Sequence, residues 1–365
     1  MKSIEHIGGE TFIRDAEIPS ELVTGHVFVK VLAVSIGPFD LGLLYPGLSK
    51  YFTKSRSPNG VGSDFSGTVV AVGDSVNRFK VGDEVFGVLA DPVRERSGSE
   101  YISVHESVCA MKPGNISHEE AASLAFDLMM AERTLRIVKT SNADSILITG
   151  GISNIARLLT QLASSSMFDS VEWVAASVNC IGDKEYSESF GVAETFTTSS
   201  CEGQWSAPFQ SGINRKVYNV VIDTIGESKQ AKRLLDREST PSGRFVSLYN
   251  KVTPEELMDY DRRVFRTEHI LKPTYKNILS GSKLLGALLT KTSGRSSYSR
   301  GQYHSVLPSG DGEILERLSV LIQTEIVTAV IEKSYSLEQV AEAIENVKKN
   351  WKTFKGKVVI RFQDN

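Results

Sequence analysis

The sequence predicts an α/β protein in two parts: a small β-barrel-like domain and a parallel, doubly wound sheet. Three observations carry this reading. Short β-branched runs separated by glycine turns occupy residues 27–104. After Pro113 the pattern turns helical, with Ser117 and Glu120 spaced as a capping box. From Ser145 onward, apolar strands and helical stretches alternate.

The first part is built from strands. Residues 27–36 alternate and are rich in valine, which predicts a strand. Gly37 and Pro38 break the run, and residues 41–44 form a short helical turn. Residues 55–62, rich in Ser, Pro, Asn and Gly, form a loop. Residues 62–73 make a strand with glycines at both ends, residues 81–87 begin another, and residues 98–104 make a further short one. The helix opened by Ser117 runs through Leu135.

The second part turns on residues 145–163. The Ile and Leu run at 145–149 has no polar alternation and predicts a fully buried strand. Gly150 and Gly151 end it, and Ser153 caps a helix whose Ile155, Leu158, Leu159 and Leu162 recur at helical spacing. Strand, turn and helix make the first half of a βαβ unit. The helix N-terminus suits a phosphate. A dinucleotide fingerprint has three glycines. Here Gly150 or Gly151 supplies the first, Ser153 holds the second place and Ala156 the third. Ser153 puts a Cβ where a phosphate oxygen would approach, and a hydroxyl able to donate to it. The loop by itself reads equally as a nucleotide site or as an ordinary βα turn. Strands follow at residues 171–177, 193–196, 217–226 and 243–248, with a helix at 184–190. Residues 250–312 are basic, with a loop at 293–301. A helix at 314–323, a strand at 326–331, a helix at 336–348 opened by Ser336 and a closing strand at 356–362 complete the chain.

A chain of 365 residues exceeds one ordinary core and calls for two domains. Its 41% hydrophobic and 23% charged residues are the balance of a soluble globular protein. A net charge of -3 excludes bulk attraction to nucleic acid. No apolar run reaches membrane-spanning length, and the first ten residues resemble neither a signal nor a transit peptide. The three scattered cysteines, Cys109, Cys180 and Cys201, read as reduced thiols inside a cell. Cys109 and Cys180 pack as small apolar residues. The six histidines show no metal-ligand spacing.

Several stretches together resemble the medium-chain dehydrogenase/reductase superfamily: residues 62–73, 79–87, 99–101, 120–122, the glycine turn, 222–226, 243–248 and 356–360. The resemblance implies a GroES-like β-barrel domain, residues 1–125 with 325–365, and a Rossmann doubly wound parallel sheet domain, residues 126–324. Within the superfamily the chain resembles the zinc-free quinone oxidoreductase branch. Zinc-dependent members carry Gly-His-Glu where Gly62, Ser63 and Asp64 stand, and three distant cysteines do not make a structural zinc lobe. The basic insert and the stretch at 94–98 resemble the fungal Yim subfamily, found with lipid droplets and mitochondria.

The resemblance implies a zinc-independent, NADP(H)-dependent oxidoreductase that reduces quinones or α,β-unsaturated carbonyls by direct hydride transfer. No catalytic residue is assigned, because the protein mainly positions the reactants. The implied cofactor contacts are Gly150, Gly151, Ser153, Asn154, Ile155, Ser177, Asn179, Lys184, Asp223, Ser247 and Leu248. No acidic residue stands at Ser177, where it would select NAD; Ser177, Asn179 and Lys184 suit a 2′-phosphate, so NADP is favoured. A plain strand end with a solvated lysine is the alternative there. Arg157 reads as pointing to solvent, with a phosphate contact as the alternative, and Asp40 and Tyr45 read as surface residues at the mouth of the substrate cleft. Departures from the reductase pattern at Gly37, Met130, Ser153, Thr198 and Tyr249 keep a second reading open: a non-catalytic or weakly cofactor-binding relative at lipid droplets or mitochondria. Side chains of Met130, Ser153 or Tyr249 filling the cleft would favour it. In residues 276–291, Leu284, Leu285, Leu288 and Leu289 share a helical face flanked by lysines. That face suits a peripheral lipid surface, an internal contact or a homodimer interface.

Overall fold

The computed structural model describes residues 1–7, 10–18, 22–44, 60–91, 95–139, 143–168, 171–178, 181–199, 204–205, 218–225, 235, 243–248, 302–306 and 309–362. The chain opens with β1 (Lys2–Ile7) and β2 (Glu10–Asp15), an antiparallel pair in register Lys2 to Asp15. The sequence reading assigned no element here. The signal was Gly8 and Gly9 between two alternating runs.

The first large sheet follows. Its strands are β3 (His26–Ile36), β4 (Asp64–Val72), β5 (Glu84–Val88), β6 (Tyr101–His105) and β7 (Cys109–Met111). The short helix α1 (Pro38–Leu44) leaves β3 directly. Two later strands, β15 (Ile331–Ser336) and β16 (Lys357–Arg361), complete the order β15-β16-β3-β4-β5-β7, with β6 also paired to β3. Alternation in β3 buries Val27, Val29 and Val31 inside this sheet, against Phe65, Val85 and Ile102.

Helix α2 (His118–Lys139) carries the chain across. Its capping box is present: the Ser117 amide donates to Glu120 Oε2 at 2.8 Å and the Glu120 amide to Ser117 Oγ at 3.1 Å. One buried stretch of the helix, Ala121 to Ala125, leads into another, Leu128 to Ala131, so it serves as shared core between the two sheets.

The second sheet contains β8 (Ser145–Thr149), β9 (Trp173–Val178), β10 (Glu194–Ser199), β11 (Gln204–Trp205), β12 (Val220–Asp223), β13 (Arg244–Ser247) and β14 (Gln302–Ser305). Helices α3 (Asn154–Ala163) and α4 (Lys184–Glu188) are its described crossovers. The order is β11-β10-β9-β8-β12-β13-β14, parallel except for β11. Strand order reverses at β8, between β9 and β12, and such a switch point opens a crevice at the carboxyl ends of the strands.

Helix α5 (Gly312–Gln323), capped by Asp311, leads to β15 (Ile331–Ser336), α6 (Val340–Asn350) and β16 (Lys357–Arg361). The strand expected at 326–331 begins only at Ile331. The Val327 amide donates to Leu321 O at 3.0 Å and its side chain is buried in the core beneath α5. Those apolar residues therefore seal the end of a helix, and pairing with β16 starts at Ile331 opposite Lys357. The helix expected from Ser336 starts as a 3-10 turn, Leu337–Gln339, held by a Ser336–Gln339 capping box.

Candidate functional site

The turn after β8 is shaped by two glycines. Gly150 has φ of 70°, and a Cβ there would fall 2.5 Å from Ile225 Cγ2. A Cβ on Gly151 would fall 2.7 Å from Ala176 Cβ. Neither position admits a side chain without displacing β9 or the end of β12. Ser153 then caps α3 by accepting from the Ala156 amide at 3.3 Å. The amides of Asn154 and Ile155 fall in the first turn, outside the helical hydrogen-bond ladder.

The ends of the neighbouring strands close on this turn. Ser177, at 1% exposure, accepts from the Gly151 amide through its carbonyl at 2.7 Å and from the Gly150 amide through its hydroxyl at 3.4 Å. Asp223 Oδ1 accepts from Thr149 Oγ1 at 3.0 Å and from the Ile225 amide at 3.3 Å. Thr224 Oγ1 donates to the Thr149 carbonyl at 2.5 Å and lies 3.4 Å from Ser153 Oγ. Ser247 lies opposite Asp223 in the sheet, and the Leu248 amide donates to the Asp223 carbonyl at 3.1 Å. The fold thus gathers Gly150, Gly151, Ser153, Asn154, Ile155, Ser177, Asp223, Ser247 and Leu248 at adjoining strand ends. Lys184 stands apart on the first turn of α4, half exposed, 3.6 Å from Glu188. Asn179, Tyr45, Gly226, Tyr249 and residues 276–291 lie outside the described residues.

The other wall comes from the first sheet. A small, partly open cleft is lined by Gly37 and Pro38, by Ser153, Asn154 and Thr224, and by Asp127 and Lys357. Ser153 therefore borders the cleft, whereas Met130 is packed in the core at 3% exposure. Behind the cleft lies a buried charge cluster that the sequence reading missed. Lys357 Nζ is 3.6 Å from Asp127 Oδ1 and 5.4 Å from the centre of the Phe126 ring. Burial alone would lower its ammonium; Asp127, Asp64 and Asp40 outweigh that and hold it above the ordinary lysine value. Asp64 accepts from the Ser35 amide at 2.7 Å and the Ser35 hydroxyl at 2.5 Å. Burial and the Asp40 charge push its carboxyl up to about 7, against Lys357 and the Ser35 bonds. Asp40 corrects the expectation of a surface role: at 5% exposure it accepts from the Gly37 amide at 2.9 Å and from Ser63 Oγ at 2.7 Å. Gly37 frees space for the lysine, since a Cβ there would fall 2.6 Å from Lys357 Nζ.

Arg157 is the second correction. Its residue is 1% exposed, not solvated. The guanidinium donates to Asn154 Oδ1 at 2.6 Å, to Gln161 Oε1 at 3.1 Å and to the Thr328 carbonyl. The aromatic face of Phe190 covers it at 5.7 Å. Burial draws it down to about 10, opposed by Tyr186 and Asp127. Asn154 in turn donates to Asp127 Oδ2 at 2.8 Å. A polar chain therefore runs from Thr328 through Arg157, Asn154 and Asp127 to Lys357. An arginine within the first turn of an amphipathic helix gave no sign of burial, because its partner Thr328 lies 171 residues away.

Cys109 is fully buried, and burial pushes its thiol up. Among the described residues no cluster of three His, Cys, Asp or Glu side chains is set to hold a metal ion, and no helix is long and apolar enough to cross a membrane.

Residues 23–122 match the family "Alcohol dehydrogenase GroES-like domain", and residues 191–360 match "Zinc-binding dehydrogenase". A 2-methylene-furan-3-one reductase of Solanum lycopersicum is 31% identical over 62% of the chain and 56% of its own length. An NADPH-dependent alkenal/one oxidoreductase of Arabidopsis thaliana is 31% identical over 64% of the chain and 58% of its own length. The chain thus spans little more than half of these relatives. The quinone oxidoreductase of Coxiella burnetii has the same fold, with a TM-score of 0.74 at 20% identity over 100% of this chain and 99% of that one. A GroES-like barrel, a parallel sheet wound about a glycine turn and both family matches in one chain lead to a single assignment: the chain belongs to the medium-chain dehydrogenase/reductase superfamily.

Proposed function

We propose that the chain is a zinc-independent, NADP(H)-dependent oxidoreductase that reduces quinones or α,β-unsaturated carbonyls by direct hydride transfer. The observation that carries this is the cleft, which joins Ser153, Asn154 and Ile155 at the start of α3 to the Gly37–Pro38 corner and Lys357 of the first sheet. The proposed domain division, residues 1–125 with 325–365 and residues 126–324, goes with this reading. The glycine turn suits the pyrophosphate: Gly150 and Gly151 keep the turn tight, and Ser153, Asn154 and Ile155 line the cleft at the start of α3. Asp223, Ser247 and Leu248 border the nicotinamide side, and Lys184 is the cation nearest in sequence to the expected 2′-phosphate. The bound cofactor would supply a hydride to the electron-poor carbon of the acceptor, and a proton from water would complete the two-electron reduction. The protein binds, orients and excludes water.

The donor set does not fit a zinc ion. Ser63 and Asp64 stand where zinc-dependent relatives carry His and Glu, their oxygens are committed to Asp40 and Ser35, and an ammonium sits among the carboxylates. The two reductases similar in sequence are named for furanone and alkenal/one substrates, which are conjugated carbonyls. Purified protein mixed with NADPH and a panel of enones and quinones should oxidise the cofactor only when an acceptor is present, and chelators should leave the rate unchanged. No oxidation with any acceptor, together with no NADPH binding, would leave a reductase fold that serves as a binding protein.

A further inference from the structure

Asp127 and Lys357 meet in the cleft, one from α2 and one from β16. Both line the cavity beside Ser153 and Asn154, and each is at most 5% exposed. One carboxylate oxygen of Asp127 lies 3.6 Å from the ammonium, and the other accepts the Asn154 side-chain amide at 2.8 Å. A negative group therefore already engages the ammonium and the Asn154 side chain at the start of α3. A phosphate of a dinucleotide seeks partners of the same kind, an ammonium and side-chain N–H donors.

We propose that Asp127 is an internal competitor for the phosphates of the dinucleotide and sets how tightly the cleft binds it. The proposal rests on the reductase reading above. Binding exchanges the Asp127 carboxylate for a phosphate at Lys357, while Asp40 remains near the lysine as a counter-charge. The pair does not need to be ionic for the sake of packing, since apolar residues of similar volume commonly serve a buried position as well. Its place on the cavity wall, not deep in either core, gives it an electrostatic role toward what enters.

The test measures NADPH affinity by calorimetry on the full chain as wild type, Asp127→Asn, Lys357→Met and the double variant, with circular dichroism as a folding control. Asp127→Asn should bind roughly tenfold more tightly than wild type. Lys357→Met should bind more weakly, and adding Asp127→Asn to it should restore nothing. Should the Asn variant fail to fold, Asp127→Ser removes the same charge and is read in the same way. If wild type binds NADPH and Asp127→Asn binds equally or less well, the competitor role is overturned and the reductase reading stands. A tightening that persists without Lys357 also overturns it. If no form binds NADPH at millimolar concentration, both fall.

Discussion

Replacing Asp64 with Asn removes an acid that the fold prefers to keep protonated. Asp64 is fully buried, and burial raises its carboxyl from 3.8 to about 7 despite two hydrogen bonds from Ser35 and the nearby Lys357 charge. A raised acid acts against the fold as pH rises. Below 3.8 the folded and unfolded chains both hold the proton. Between 3.8 and about 7 the unfolded chain releases it and the folded chain keeps it, so each pH unit costs the fold about 1.4 kcal/mol. Above about 7 the penalty is complete, at about 4 kcal/mol. The amide of Asn keeps an acceptor for the Ser35 amide and cannot ionise. The stability advantage of Asp64→Asn over wild type should therefore grow by about 2–3 kcal/mol between about pH 5 and about pH 8. Urea denaturation of both proteins across that range measures it, and the other titrating groups cancel in the difference. An advantage that stays constant or shrinks toward alkaline pH would refute the reasoning and mean that Lys357 holds Asp64 ionised.

Substitutions at two further positions probe the turn and the polar chain. Arg157→Leu should cost about 2–5 kcal/mol in denaturant melts, because it strands the Thr328 carbonyl and the Asn154 side chain among buried groups. Arg157→Lys should recover only part of this, since an ammonium cannot span the same fork. Gly150→Ala should cost about 1–3 kcal/mol and weaken NADPH binding, because alanine must adopt φ of 70° with its Cβ 2.5 Å from Ile225. A Gly150→Ala protein with unchanged stability would show that the turn relaxes.

Local chemistry made much of the architecture legible. The apolar 145–149 run, the Ser153 cap, the Ser117–Glu120 box and the valine alternation of β3 each specify their element through contacts a few residues away. The glycine turn was legible as a break after the strand, although its two glycines answer to the close approach of the distant Ala176 and Ile225. The hairpin β1–β2 was equally local and went unread, and the 326–331 run misled because Val327 serves the end of a helix.

By itself, then, the sequence determined the alternation of elements, the position of the glycine turn and the lineage of the fold. Only the tertiary structure decided that Asp40 and Arg157 are buried, that Asp127 and Lys357 share one cleft wall and that Asp64 lies near the same lysine. The reason is physical. Propensity and periodicity are set within a helical turn or a strand pair. The surroundings of a charge are set by whichever distant segments fold against it, and here Lys357 of the last strand meets Asp127 of α2, far apart in the sequence.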